Sequence, residues 1–510
     1  MSNSRTSNSM KNIIFSITYQ VISLVLSFVN RTIFIHVLGA GYLGISGLFS
    51  DILNMLSLAD LGFTTAMTYS MYEPLAKNDY DTLAGLVNFY KKVYRIIATV
   101  VAMLGLAVIP FLKFLVNLEN EIPHLTLYYL LFLANTVASY LVVYKTCIIT
   151  ADQKNYILTK CNVFWSLAQS IVLMFALLIT RSYIVYLVLQ VAFVYFSNFH
   201  KSYLAQKNYP YIKEKIKLSA EKTNEVFKNI GSVFLYKISS VLINATDNTL
   251  ISIMVGTESV GYYSNYNIVI GKLSGIVNTI FYSLTASLGN LIVTESYEKR
   301  YQIFQVMQSI SLIIGNVCIA CVFFLEEDFI TIWLGEEYSL GLLVLCAIVI
   351  NFYFSIVLLP IWVFREASGL YRKTKYVMLI TAVVNIVTSI LLGKWIGLAG
   401  ILFATSIARF TTYFWYEPLL LFKQYFNQSC IIYYKGIAKG LMITMITFGI
   451  IYVAVSWYSP QNWIEWLIKG CVVGFIAVAV TFFCYRKAEG FDLLVKRIKR
   501  LLNGVGKNDN

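Results

Sequence analysis

Charge is scarce in this chain. Only 13% of its 510 residues are charged, against roughly 25% in soluble domains. In its place, 58% of residues are hydrophobic and the mean hydropathy is +0.68. That composition excludes an ordinary soluble globular protein. Histidine is nearly missing, with three residues, and no HExxH, DDxxD-like carboxylate cluster or GxSxG occurs. A Gly-rich phosphate loop is also absent, which removes ATP as a direct energy source. No cofactor is expected and the chain does not read as an enzyme. Eight cysteines lie mostly in or near apolar runs, which argues against a disulfide framework. Cys318 and Cys321 form a CxxC inside such a run, with no second pair or nearby His, and read as small packing residues. A cleavable signal peptide is not expected, because 1–10 is polar and the apolar run from Asn12 is too long for an h-region.

Positive charge is missing from one class of connecting segment. About fourteen apolar stretches of the length that crosses a bilayer can be drawn, and they are continuous rather than alternating, which selects helices over a barrel. They run over 12–37, 42–72, 86–115, 122–149, 158–180, 183–205, 231–255, 260–293, 302–325, 338–364, 376–395, 399–422, 436–457 and 463–485. One alternate set of connections and flanking ends carries 31 Lys and Arg; the other carries Lys113, Arg181 and Lys394. This asymmetry predicts a polytopic inner-membrane protein with both termini cytoplasmic. The net charge of +14 is then explained by anionic lipid headgroups rather than by nucleic acid.

The expected organisation is an N-terminal six-helix bundle (1–205), a basic cytoplasmic linker (206–230), a C-terminal six-helix bundle (231–425), two additional helices (426–485) and a basic amphipathic tail (486–510). The outer connections are short and acidic, with Glu119, Glu121, Glu326, Glu327, Asp328, Glu336 and Glu337 assigned to them. A faint repeat links the halves. A shift of 217 residues lays Tyr19, Ser23, Thr32, Gly39 and Gly44 over Tyr236, Ser240, Thr249, Gly256 and Gly261. The shift spans an even number of helices, so the copies keep one orientation, as in a parallel transporter repeat.

Ionisable residues inside spans cost at least about 2.5 kcal/mol at the helix centre on insertion scales, so they mark cavities or buried partners. Basic candidates for a substrate-binding cavity are Arg31, Lys237, Lys272 and Arg409; Lys145, near a cytoplasmic end, reads as a snorkelling residue. Asp51, Asp60 and Asp247 are candidates for ion coupling or for counter-ions. Asp51 and Asp60, nine residues apart, point to roughly opposite sides of one helix. Lys272 lies within Gly271–Gly275, a GxxxG that permits close helix contact or bending. A net cationic pathway suits an anionic group such as a diphosphate, held by charge-assisted hydrogen bonds. No metal site is expected.

The stretches YLGISGLFSDILNMLSLADLGFTTAMTYSMYEPLAKND (42–79) and ATDNTLISIMVGTESVGYYSNYNIVI (245–270) resemble bacterial polysaccharide flippases of the multidrug/oligosaccharidyl-lipid/polysaccharide exporter superfamily. With the fourteen spans, the resemblance covers nearly the whole chain. It implies an all-α membrane fold, two six-helix bundles in a parallel repeat around a central cavity plus two C-terminal helices. It also implies movement of undecaprenyl-diphosphate-linked oligosaccharide units to the outer leaflet for capsule, exopolysaccharide or O-antigen synthesis. The implied partners are that lipid-linked substrate, membrane lipids, Na+ or H+ as a coupling ion, and polysaccharide assembly proteins. Asp60 stands where the family as readily has Glu. Two other readings stay open: a MATE-type drug/cation antiporter, which would favour acidic cavity residues, and a polytopic enzyme such as a polysaccharide polymerase.

Overall fold

The computed structural model describes residues 2–57, 63–118, 122–218, 223, 238–243, 245–282, 284–486 and 490–493. Among them there is no strand; nearly everything is helix. The chain resolves into two compact units, Met1–Ser264 and Asn265–Asn510.

In the first unit the helices are α1 (Ser2–Leu38), α2 (Ala40–Leu56), α3 (Phe63–Lys77), α4 (Tyr80–Val108), α5 (Leu112–Leu115), α6 (Leu125–Tyr140), α7 (Val143–Ala151), α8 (Tyr156–Thr180) and α9 (Tyr183–Asn208). α10 follows over 238–254, residue 244 aside, and α11 (Thr257–Tyr282) carries the chain into the second unit. α1 packs on α8, α8 on α9, and α6 on both α9 and α4. One apolar core, with Met67, Met71, Tyr90, Tyr94, Tyr144 and Ile148 fully or almost fully buried, joins α3, α4 and α7. The start of the basic connection is fixed to this core: Asn88 donates to the Ile216 carbonyl at 3.3 Å, and the Tyr209 hydroxyl to Asp152 at 2.7 Å.

The second unit continues with α12 (Thr285–Thr294), α13 (Tyr297–Leu334), α14 (Leu342–Val357), α15 (Leu359–Ser368), α16 (Tyr371–Thr411), α17 (Tyr413–Leu421), α18 (Ile431–Val455) and α19 (Trp463–Tyr485). α13 is its axis, packing on α14, α15, α18 and α19. Local chemistry sets the boundaries. Asp79 accepts the Thr82 N–H at 3.0 Å to start α4, and Asn462 accepts the Glu465 N–H at 3.0 Å while Glu465 takes the Gln461 N–H at 2.8 Å to start α19.

Eight helices among the described residues are long and apolar enough to cross a membrane, or ten if each of two bent pairs, α6–α7 and α14–α15, counts as one span. One of the eight, Lys373–Phe426, has 54 residues, far more than the ~20 that a crossing needs. It is a hairpin. Asn385 donates to Thr405 at 2.9 Å, and the Thr381 and Thr412 hydroxyls meet at 2.6 Å. In a straight helix, partners twenty residues apart would be about 30 Å apart. The reversal falls at Ile396 and Gly397, where the backbone leaves the helical region, so the expected spans 376–395 and 399–422 are both present. The expected second, seventh and eighth spans are helix over their described residues, but broken or too polar to meet that measure. They are the spans in which Asp51, Asp247 and Lys272 were singled out. The all-helical membrane class is thus as expected, with the count of fourteen approximate.

One expectation needs correction. Glu326, Glu327 and Asp328 do not form a loop: α13 runs on to Leu334, and Glu326 is 3% exposed. At Gly271, the first glycine of the GxxxG, a Cβ would meet nothing within 4 Å. The amphipathic tail from residue 494 onward, Glu119 and Glu121 lie outside the described residues.

Candidate functional site

The repeat glycines shape the first unit. Gly39 and Gly256 have φ of +87° and +137° and break the chain between α1 and α2 and between α10 and α11. Gly44 and Gly261, the next repeat pair, are where α2 and α11 cross with no side chain between them. A Cβ on Gly44 would fall 2.0 Å from the Thr257 carbonyl oxygen, and one on Gly261 would fall 2.4 Å from that of Ala40. The two copies of the repeat therefore touch through bare backbone. Thr257 is locked in turn, its N–H donating to Asn117 O and its Oγ1 accepting from the Asn117 N–H, both at 2.8 Å.

That crossing positions Arg31. Its Nη2 lies 2.5 Å from Ser264 Oγ on α11, one turn past Gly261, and Tyr186 of α9 stands beside it. Tyr186 in turn belongs to a continuous aromatic cluster with Phe34, Tyr42, Tyr128 and Tyr183, from α1, α2, α6 and α9, with ring centroids 4.8–6.2 Å apart. The Tyr183 hydroxyl is tied to Ser46 at 2.6 Å. Hence a guanidinium held at a helix crossing beside aromatic rings and hydroxyls is the first unit's best-built polar feature. Further along α2, Asp51 Oδ2 accepts from Asn248 Nδ2 of α10 at 2.7 Å, next to Asp247. Asp51 is thus satisfied by a neutral amide rather than by a base.

In the second unit Lys272 lies partly exposed on α11, on the side that presents Ile276 and Ile280, each about half exposed. Arg409 is different: it is 9% exposed and held inside the unit between α16 and α14. Its Nη1 donates to the Asn351 carbonyl at 3.4 Å, while the Asn351 side chain accepts from Ser406 at 2.6 Å and donates to Leu402 O at 2.7 Å. Lys237 and Asp60 lie outside the described residues. No group of three or more His, Cys, Asp or Glu able to hold a metal occurs among the described residues.

Sequence reasoning missed two ion pairs. Arg365 Nη1 of α15 meets both carboxylate oxygens of Glu417 in α17 at 2.8 and 2.9 Å, with both side chains at most 5% exposed. Lys469 of α19 meets Asp328 of α13 at 2.6 Å. Glu417 and Lys469 each interrupt an apolar span, so the signal that flagged Lys272 was equally available for them.

Compared with known proteins, a family model described as "Polysaccharide biosynthesis protein" matches residues 9–286, more than half of the chain. The chain belongs to that family. A lipid II flippase MurJ in an inward closed conformation superposes with a TM-score of 0.70 at 16% identity, covering 93% of this chain and 99% of that one. An inward-facing multidrug resistance MATE transporter of the MOP superfamily gives 0.58 at 14% identity, covering 79% and 96%. A MOP superfamily transporter from Pyrococcus furiosus gives 0.56 at 12%, covering 82% and 97%. The fold of this polysaccharide-biosynthesis protein is therefore the MurJ/MATE fold. No curated protein sequence matches it.

Proposed function

We propose that the chain is a flippase that moves undecaprenyl-diphosphate-linked oligosaccharide units from the cytoplasmic to the outer leaflet, for capsule, exopolysaccharide or O-antigen synthesis. The family match carries this reading. The fold shared with a lipid II flippase supports it, as does the excess of basic over acidic residues within spans. In this reading the protein lies in a bacterial inner membrane with both termini cytoplasmic, organised as the two six-helix bundles and extra helix pair expected from the sequence. Arg31, Lys237, Lys272 and Arg409 line a cationic pathway for the diphosphate; the polyprenyl tail stays in lipid. Arg31 and Lys272 contact substrate directly, whereas Arg409, held on Asn351, supplies charge from inside its unit. Asp51, Asp60 and Asp247 are the candidates for Na+ or H+ coupling. Assembly proteins are partners, and the chain acts as a transporter rather than an enzyme.

The test is leaflet-resolved accumulation of lipid-linked oligosaccharide in cells lacking the gene, complemented with wild type, Arg31→Gln or Lys272→Ala. Units facing the cytoplasm in the deletion, with both variants expressed at wild-type level but failing to rescue, is the expected result. Complete units reaching the outer leaflet without this protein would overturn the reading. The MATE-like fold similarity keeps a drug antiporter as a second reading; loss of drug resistance in the deletion with normal polysaccharide would favour it.

A further inference from the structure

The break between α6 and α7 opens a groove on the first unit that the proposed function leaves unused. At Leu141 and Val142 the helix axis bends by 46°, and the notch is closed on its other side by Tyr195, Phe196, Phe199 and Ser202 of α9. The volume is about 610 Å³. Tyr195, Phe196 and Phe199 are 45–78% exposed, so the walls are apolar and open to the surrounding lipid. The polar end of the groove is the Ser202 hydroxyl, which accepts from Lys145 Nζ at 2.6 Å. An ammonium has three N–H donors, and Ser202 takes one.

Lys145 is not alone. Lys91 of α4 acts electrostatically on it, and Arg95, one turn further along α4, acts on the neighbouring Tyr144. The ion pairs of the described residues involve none of these three cations. A lysine that merely snorkelled would extend into water; this one is turned onto the groove wall. An apolar slot with an unneutralised cationic end is complementary to one ligand chemistry, an anionic headgroup carrying a hydrocarbon chain.

Size separates the sources. If a methylene occupies the ~30 Å³ of a water molecule, the groove holds about twenty chain atoms. That is the size of one fatty acyl chain, whereas a long polyprenyl chain would leave most of its length outside. We propose that the α6–α7 break and α9 form a binding site for an anionic glycerophospholipid, with one acyl chain in the groove and the phosphate at Lys145 and Lys91. Its place in the cytoplasmic leaflet rests on the orientation proposed above, but the binding itself does not. Because the chain enters from the side, occupancy sets how the α6–α7 break is filled and gives the protein a dependence on lipid composition.

The test is native mass spectrometry of the purified full-length protein in mixed micelles with phosphatidylglycerol or phosphatidylcholine of identical chains. Wild type is expected to retain phosphatidylglycerol preferentially. Lys145→Gln and Lys91→Gln should each reduce that preference about five-fold, and Lys154→Gln, whose partner is Asp152, should leave it unchanged. Phe199→Ala, at an exposed wall position, should weaken retention of both lipids and covers the case in which the lysine variants fail to fold. Unchanged preference in well-folded Lys145→Gln and Lys91→Gln, or unchanged retention in Phe199→Ala, would overturn the site. So would displacement of phosphatidylglycerol by an equimolar polyprenyl diphosphate, which would reassign the groove to the substrate carrier. None of these readouts requires transport, so failure here leaves the flippase reading standing.

Discussion

Replacing Gly44 with alanine places a methyl group 2.0 Å from the Thr257 carbonyl oxygen, where real Cβ atoms keep at least 3.0 Å. α2 and α11 must therefore part by about 1 Å. Overpacking of this kind costs about 1–3 kcal/mol. Thr257 cannot simply retreat, because two hydrogen bonds of 2.8 Å tie it to Asn117, and losing them adds about 1 kcal/mol each. Alanine's helix preference over glycine returns about 1 kcal/mol. The net loss is on the order of 2–4 kcal/mol, which for a unit of this size lowers the unfolding midpoint by roughly 10 °C. Thermal unfolding of the detergent-solubilised protein reads this directly. Gly474→Ala is the control, since nothing lies within 4 Å of its added methyl, and it should be neutral or slightly stabilising. If Gly44→Ala and Gly474→Ala unfold together, the backbone contact between α2 and α11 is wrong.

The buried Arg365–Glu417 pair should behave asymmetrically: Glu417→Gln takes the carboxylate charge away from a buried guanidinium and should cost about 3–5 kcal/mol, whereas joint replacement by Met and Leu should cost much less. Equal losses in unfolding midpoint for the single and the joint replacement would refute this. Just past α9, burial and then the negative charge of Asp152 push the Tyr211 hydroxyl up to about 12. The fold favours its protonated form, so that contribution is complete below pH 10 and is lost as pH rises toward 12. The stability difference between wild type and Tyr211→Phe should shrink across that window; a difference that stays constant would show that Tyr211 does not titrate there.

Most of the fold was legible because lipid demands uniform apolar helices, and a run such as Trp463–Tyr485 has no other use. The repeat was legible through Gly39 and Gly256, whose positive φ only glycine adopts freely. Sequence periodicity could not reveal that Gly44 and Gly261 pack on each other, since contact between distant helices leaves no local trace. The acidic run 326–328 was misread for a physical reason: three charges in a row usually mark a connection, but here Asp328 is answered by Lys469 and Glu327 by the Tyr266 hydroxyl at 2.8 Å. Likewise the sequence could not show that Arg409 donates to a main-chain carbonyl, because no side-chain pattern announces such a contact.

The meeting of Gly44 and Gly261 has a genetic consequence. Where two side chains crowd, a harmful enlargement of one can be relieved by trimming the other, and suppressor mutations map to the partner. Here neither position has anything left to trim. Revertants of Gly44→Ala should therefore arise at Gly44 itself or by loosening the Thr257–Asn117 attachment, and never at Gly261.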